Sequence, residues 1–456
     1  MFKIEKQIIF FNSLVAILLS FGSFGSLSAS LVLILLNLRS YKYAIYSLLL
    51  ASIAASFASY ENNIVSPQLI IIPLVVISSI RWLRIKNKIN LIVFIPIVSV
   101  FIHSLLFSNN FLFSILRFSS ILIVMFLIYE LLTRLLDINE KGDLSGLTNF
   151  LEFTYVHLIQ FILFGSLIRF ISLGIDGLQD YDGRLALCIK SPSIALAVIV
   201  SFLIFLKIII STINHKTFIS ISEWLLISIC FLTDARGPMI VIFLLYIISF
   251  GFYRFIKKNG LTFSLLAIIS LLNPTVIASF VLKNYSDKFL SFFKLYELSR
   301  GQLVINQFYN FISNPLTGVG FGIQPTGIVP GTFSFPWTQK FTYIGPFPVS
   351  GPTEKVILPL ALLEEFGIIL FLFLSLILII YLFKKKAFSK IRINKEITKK
   401  LNQISLISLL YYILLSFTEM PHFSVFAVGI PLSFCLMLSL LMFNKNQDLK
   451  IKESIN

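Results

Sequence analysis

The chain has 456 residues, of which 57% are hydrophobic and only 13% charged, with a mean hydropathy of +0.92 and a formal net charge of +16. A soluble domain cannot hide that much apolar surface, and apolar runs of roughly 15 to 25 residues recur along the whole length. Long alternating strands with turn signals are absent, which excludes a membrane β-barrel and leaves an all-α polytopic membrane protein.

Lys3 and Lys6 place the N-terminus inside. The runs then alternate in chain order: 7–22 out, 24–38 back, 43–60 out, 66–80 back to "RWLRIKNK", 89–107 out and 110–130 back. Next come 147–173 out, 191–211 back, 217–233 out to Arg236, 238–253 back to "RFIKKNG", and 260–282 out. A loop over 283–355 follows on the outside. The run 356–382 returns to "KKKAFSKIRINKEITKK", 402–418 goes out, and 422–443 returns to a basic tail. The chain therefore reads as one transmembrane domain, 1–456, of about 14 (12–14) helices, with both ends cytoplasmic and the long periplasmic loop between helices 11 and 12.

The first two runs are short enough to form a re-entrant hairpin, and the first reads as a retained helix rather than a cleaved signal peptide. Lys/Arg clusters at 81–88, 254–258 and 384–400 all fall on the inner side of this alternation. The positive charge is thus explained by topology, and no nucleic-acid partner is expected. The three cysteines, Cys188, Cys230 and Cys435, have neither metal nor redox spacing. No internal repeat and no inverted pair of broken helices is visible.

The alternation gathers three polar features outside: "GIDGLQDYDGRLALCIKSPS" at 174–193, "TDARGP" at 233–238, and the loop 283–355. The loop is rich in Gly, Pro and aromatics, including Trp337 and Tyr343, which suits a lid over a sugar or lipid headgroup and equally an interfacial aromatic belt. Three arginines lie on this side: Arg184, Arg236 and Arg300. A guanidinium that keeps its proton binds phosphate bidentately. Arg236 opens a helix, with Gly237 and Pro238 suited to the first turn, so its charge adds to the free N–H groups of a helix N-terminus. The alternative is an interfacial pair with Asp234.

Downstream, "SRGQLVINQFYNFISNPLTGVGFG" at 299–322 reads as an amphipathic helix with Leu303, Phe308, Phe311 and Ile312 on its apolar face, ending at "SNP" and a Gly-rich turn. "GPTEKVILPLALLEEFGIILFLFL" from Gly351 carries Glu354 at the outer end of a span and Glu364 and Glu365 deeper. Glu354 and Glu365 share a face but stand roughly 16 Å apart at 1.5 Å per residue, so they cannot act on one atom. Glu354 is the one placed to meet a substrate.

In this order the segments resemble the Wzy-type O-antigen polymerases and the related O-antigen ligases, over about residues 180–380. The family's Ser/Thr–x–Arg–Gly signature reads "TDARGP" here. Its Arg-led helix ending in "nPl-GvG-G" reads "SRGQLVINQFYNFISNPLTGVGFG". Its "E-x-G-I-I-G" span reads "EKVILPLALLEEFGIIL", and "GRLALCIKSPSIAL" echoes an earlier Arg segment, with Ser193 where Asn is usual. The ligase pattern has His-Asn about ten residues before this glutamate, where Lys355 and Val356 stand here, which favours polymerase over ligase. The R-x10-G pattern of some polymerases is not matched at Arg184 or Arg300.

The resemblance implies a glycosyltransferase of lipopolysaccharide biosynthesis in the bacterial inner membrane, its active site facing the periplasm. The partner in the reaction would be an undecaprenyl-pyrophosphate-linked oligosaccharide, with a chain-length regulator as a further candidate partner in the bilayer. Arg236, Arg300 and Arg184 would bind the pyrophosphate, and Glu354 is the candidate catalytic base. His422, beside Glu419 on the outer side, is a second candidate. No cofactor and no metal are expected. The rivals are an O-antigen ligase delivering chains to lipid A core and, from another class, a polysaccharide flippase or transporter. The concentration of polar features at one face argues against transport. Arg117, well inside the span 110–130, faces a polar cavity, snorkels or pairs with another helix; His103, His157 and Glu152 lie inside spans and read as interior polar contacts, and Glu223 reads as an interfacial residue near the inner end of its span.

Overall fold

The computed structural model describes residues 5–57, 67–82, 91–107, 111–137, 144–179, 185–189, 193–214, 220–233, 236–250, 311–312, 314–318, 363–376, 395–418 and 426–455. These residues build an all-helical bundle: α1 (Lys6–Leu19), α2 (Gly22–Asn37), α3 (Tyr41–Ala54), α4 (Pro67–Ser79), α5 (Leu91–Phe107), α6 (Phe111–Asp137), α7 (Ser145–Leu173), α8 (Ser193–Ile213), α9 (Ile221–Leu232) and α10 (Arg236–Phe250). After these come α11 (363–376), α12 (Lys395–Thr418) and α13 (Phe426–Ile455). No strand occurs among the described residues, and the extended pairings are isolated bridges, Phe57 with Ile189 and Gln179 with Leu185.

The helices follow the apolar runs. They overshoot where polar helix formers continue the segment: α6 runs on to Asp137, α12 starts at Lys395 instead of near 402, and α13 continues through the basic tail to Ile455. The expected run 260–282, and the loop 283–355 apart from 311–312 and 314–318, lie outside the described residues. Two helical stretches, Ser145–Leu178 and Ala195–Ile213, are long and apolar enough to cross a bilayer by length and composition. The bundle exterior matches that reading, because Leu163, Leu167, Phe170 and Ile171 on α7 and Phe24, Leu27 and Leu31 on α2 are exposed.

α3 and α8 form the centre. α3 is apolar all round and buried continuously from Ala44 to Ala54, as a helix with no polar face must be. It packs against α2, α4, α6 and α13, while α8 packs against α7, α9, α10 and α12. α13 touches both and closes the core with Phe434, which meets Phe150 of α7 and Phe202 of α8 edge-on or tilted. Two polar contacts inside the core join neighbouring helices. Tyr411 stacks on Phe205 and shares a 2.8 Å hydrogen bond with Ser201, and Ser405 and Ser439 bond each other's backbone across α12 and α13.

The contacts sort helix ends into two sets. At one end, Lys42 at the start of α3 lies 3.9 Å above the Phe153 ring of α7, and Tyr155 of α7 donates to Ser222 at the start of α9. At the other end, Phe57 just past α3 pairs with Ile189, and Leu185 donates to Leu232 at the end of α9. The 3-10 turn after α7 joins the same end through Leu178, which accepts from Ala186 and Leu187. α3, α7 and α9 therefore run in one direction, as the expected alternation of spans requires. Arg39, which bonds Gln7 of α1, and Arg81, which bonds the Leu38 carbonyl, gather beside Lys42.

Candidate functional site

Two junctions bring together segments that the sequence singles out. The first lies where α9 turns into α10. Arg236 is the first residue of α10, as its place before Gly237 and Pro238 predicts. Its side chain is outside the described residues, as are Arg184, Arg300, Glu354 and His422. The backbone around two of the arginines is described. Leu185, the residue after Arg184, donates to the Leu232 carbonyl at 3.3 Å, and Arg236 follows Leu232 by one helical turn of sequence. The "GRLALC" and "TDARGP" segments thus meet at one end of the bundle.

The segment 185–189 is held tightly. Ala186 and Leu187 both donate to Leu178, Ile189 closes a turn onto Ala186, and Leu187 takes a left-handed backbone (φ 55°) that a branched residue adopts only under constraint. Cys188 is fully buried here, against Gly165 of α7, and burial pushes its thiol up to about 12. Burial thus holds the thiol in its neutral form, the state of a packing cysteine.

The second junction joins the "SNPLTG" turn to the "EEFGII" helix. Asn314 and Gly318 donate back to Phe311 and Asn314, which folds a turn after the helical residues 311–312, where the Asn-Pro pair predicts it. The turn then inserts into α11. Gly367 has φ +66°, which interrupts regular α geometry, and the Ile368 N–H leaves the helix to donate to the Pro315 carbonyl at 2.8 Å. Gly318 mirrors it with φ +68°. A Cβ at Gly367 would lie 2.3 Å from the Leu316 oxygen, and one at Gly318 would lie 2.5 Å from the Gly367 nitrogen. Two glycines are needed because two backbones touch. Glu364 and Glu365 are buried at this break.

His103 of α5 completes the junction. Its Nε2 lies 2.6 Å from the Thr317 carbonyl, and its ring sits edge-on to Phe366 and tilted on Phe107. A carbonyl only accepts, so Nε2 carries the proton. The sequence reading files His103 with interior contacts; its link to a turn more than two hundred residues away carries no signal in a single sequence. His103→Ala should cost about 1–2 kcal/mol through the lost hydrogen bond and ring packing, whereas His103→Gln, which keeps a donor, should recover most of it. Apparent melting temperatures in detergent would decide, and equal losses for the two variants would refute the hydrogen-bond role.

His157, by contrast, behaves as an interior contact. Its Nδ1 pairs with Gln160, its carbonyl accepts from Asn12, and Asn12 in turn accepts from Tyr46. Among the described residues no three His, Cys, Asp or Glu side chains converge where they could hold a metal ion. The chain matches no family model and no curated protein.

Proposed function

We propose that the chain is a polysaccharide polymerase of the bacterial inner membrane, with about 14 spans, both ends cytoplasmic and its working face periplasmic. The observation that supports this best is the interlock of "SNPLTG" with "EEFGII" through paired left-handed glycines. These are two of the segments on which the resemblance to the O-antigen polymerases rests, and they are far apart in sequence. The meeting of the Arg184 and Arg236 segments at one bundle end adds to it.

In the reaction, a hydroxyl oxygen of the acceptor's terminal sugar attacks the anomeric carbon of the donor chain. The new C–O bond forms as the bond to undecaprenyl pyrophosphate breaks, and the pyrophosphate leaves with the electron pair. Arg236, Arg300 and Arg184 neutralise the charge growing on it, and Glu354 takes the hydroxyl proton, with His422 as the second candidate base. Each lost cationic donor should slow transfer by on the order of 10²–10³. Arg236→Ala and Arg300→Ala should therefore abolish long-chain surface polysaccharide while immunoblots show undiminished protein. Normal chain lengths in both variants would rule the proposal out. In a deletion strain, single lipid-linked repeats should accumulate; accumulation of finished polymer would assign a ligase instead.

A further inference from the structure

Arg39 and Arg81 stand at the end of the bundle opposite the α9–α10 turn, and neither has a carboxylate partner among the described residues. Arg39 follows α2, stacks over Phe11 at 4.9 Å and donates to the side-chain oxygen of Gln7. Arg81 follows α4, stacks over Trp82 at 4.6 Å and donates to the carbonyl of Leu38, the residue before Arg39. Trp82 is itself fixed by its indole N–H, 3.2 Å from both oxygens of Asn37. Each guanidinium is thus held in place by one aromatic face and one neutral acceptor, and both are exposed with N–H donors to spare. Glu5 at the start of α1 is engaged by Lys42 at 2.9 Å and by the Tyr43 hydroxyl.

Next to this pair the two helices that carry it are greasy on the outside. Leu31 and Leu35 on α2, with Leu38 just past it, form one exposed face, and Ile77 on α4 with Ile80 just past it an exposed edge, with α2 packed on α4. A pre-positioned cationic pair above an apolar stripe has the two-part chemistry of a phospholipid with net negative charge: phosphate on the guanidinium groups, acyl chains along the leucines. Charge complementarity selects against zwitterionic lipid, whose ammonium would be repelled. We infer that Arg39 and Arg81 bind the phosphate headgroup of an anionic phospholipid, with its chains lying along α2 and α4. The proposal is independent of the polymerase reading.

Trp82 is the built-in reporter. The full-length chain with Trp224→Phe and Trp337→Phe, in nanodiscs of phosphatidylcholine, would be titrated with phosphatidylglycerol or phosphatidylcholine brominated high in the acyl chains. Trp82 fluorescence should be quenched preferentially by the phosphatidylglycerol, by on the order of fivefold in relative affinity per arginine. The preference should vanish in Arg39→Gln/Arg81→Gln. A second reading needs no arginine substitution: raising NaCl from about 0.1 to 1 M should collapse the preference, because the contact is at the screened surface. Equal quenching by the two lipids in the parent protein, or a preference that survives both the double substitution and high salt, would overturn the inference.

Discussion

Gly367→Ala should lower the apparent melting temperature in detergent by roughly 2–5 °C. Two costs add. An alanine forced to φ +66° is destabilised by about 1–2 kcal/mol through its own backbone. The new Cβ would also sit 2.3 Å from the Leu316 oxygen and 2.4 Å from its carbon. Those are backbone atoms of the inserted turn, so relief requires the turn to leave α11, at a further cost of about 1–3 kcal/mol. Leaving would also orphan the Ile368 N–H, which bonds Pro315 rather than its own helix.

Two companion variants test the cause. Gly367→Asn tolerates left-handed backbone but still carries the Cβ, so it should remain strongly destabilised. Gly318→Ala breaks the same contact from the other side, and the Gly318→Ala/Gly367→Ala double variant should therefore lose less than the sum of the singles. A Gly367→Ala protein as stable as the parent would show that the turn and the helix do not interlock.

This junction also shows how far the sequence can be read. The helices were legible because apolar length and polar breaks are local signals. Arg236 at the head of α10 was legible for the same reason, since Gly-Pro after it marks a helix start. The turn at Asn314-Pro315 was legible from its dipeptide, but not its destination: nothing local in "NPLTG" names "EEFG" as its partner, and a glycine in an apolar helix is compatible with many roles. His103 was hidden for the same reason, because a contact of long sequence separation leaves no period behind. Glu223 stands at the end of its span, in the first turn of α9, but its pairing was not legible. It is 1% exposed, because its carboxylate is consumed by a cap and by a tyrosine from the next helix rather than by water.

Glu223→Ala should accordingly destabilise the protein by about 3 kcal/mol or more. One carboxylate oxygen accepts from the Ser220 N–H at 2.7 Å and from its hydroxyl at 2.6 Å, which supplies the glutamate half of a capping box on the first turn of α9. The other accepts from the Tyr246 hydroxyl of α10 at 2.9 Å. Truncation strands the Tyr246 hydroxyl in the core and takes the carboxylate from the half-buried Ser220 N–H. Glu223→Gln should cost only about 1 kcal/mol, since its amide oxygen can serve Ser220 while its N–H₂ donates to the tyrosine oxygen. Tyr246→Phe should cost a similar amount, and adding it to Glu223→Ala should cost little more, because the stranded hydroxyl is then gone. Calorimetric or fluorescence melting in detergent gives all four values, and a Gln variant as damaged as the Ala variant would refute the hydrogen-bond account. The effect reaches the proposed site through α9. The box fixes one end of this 12-residue helix, and its other end supplies the Leu232 carbonyl that holds Leu185 beside the turn into Arg236. Glu223→Ala should therefore shorten the polysaccharide although Arg236 is untouched, and Glu223→Gln should restore chain length along with stability.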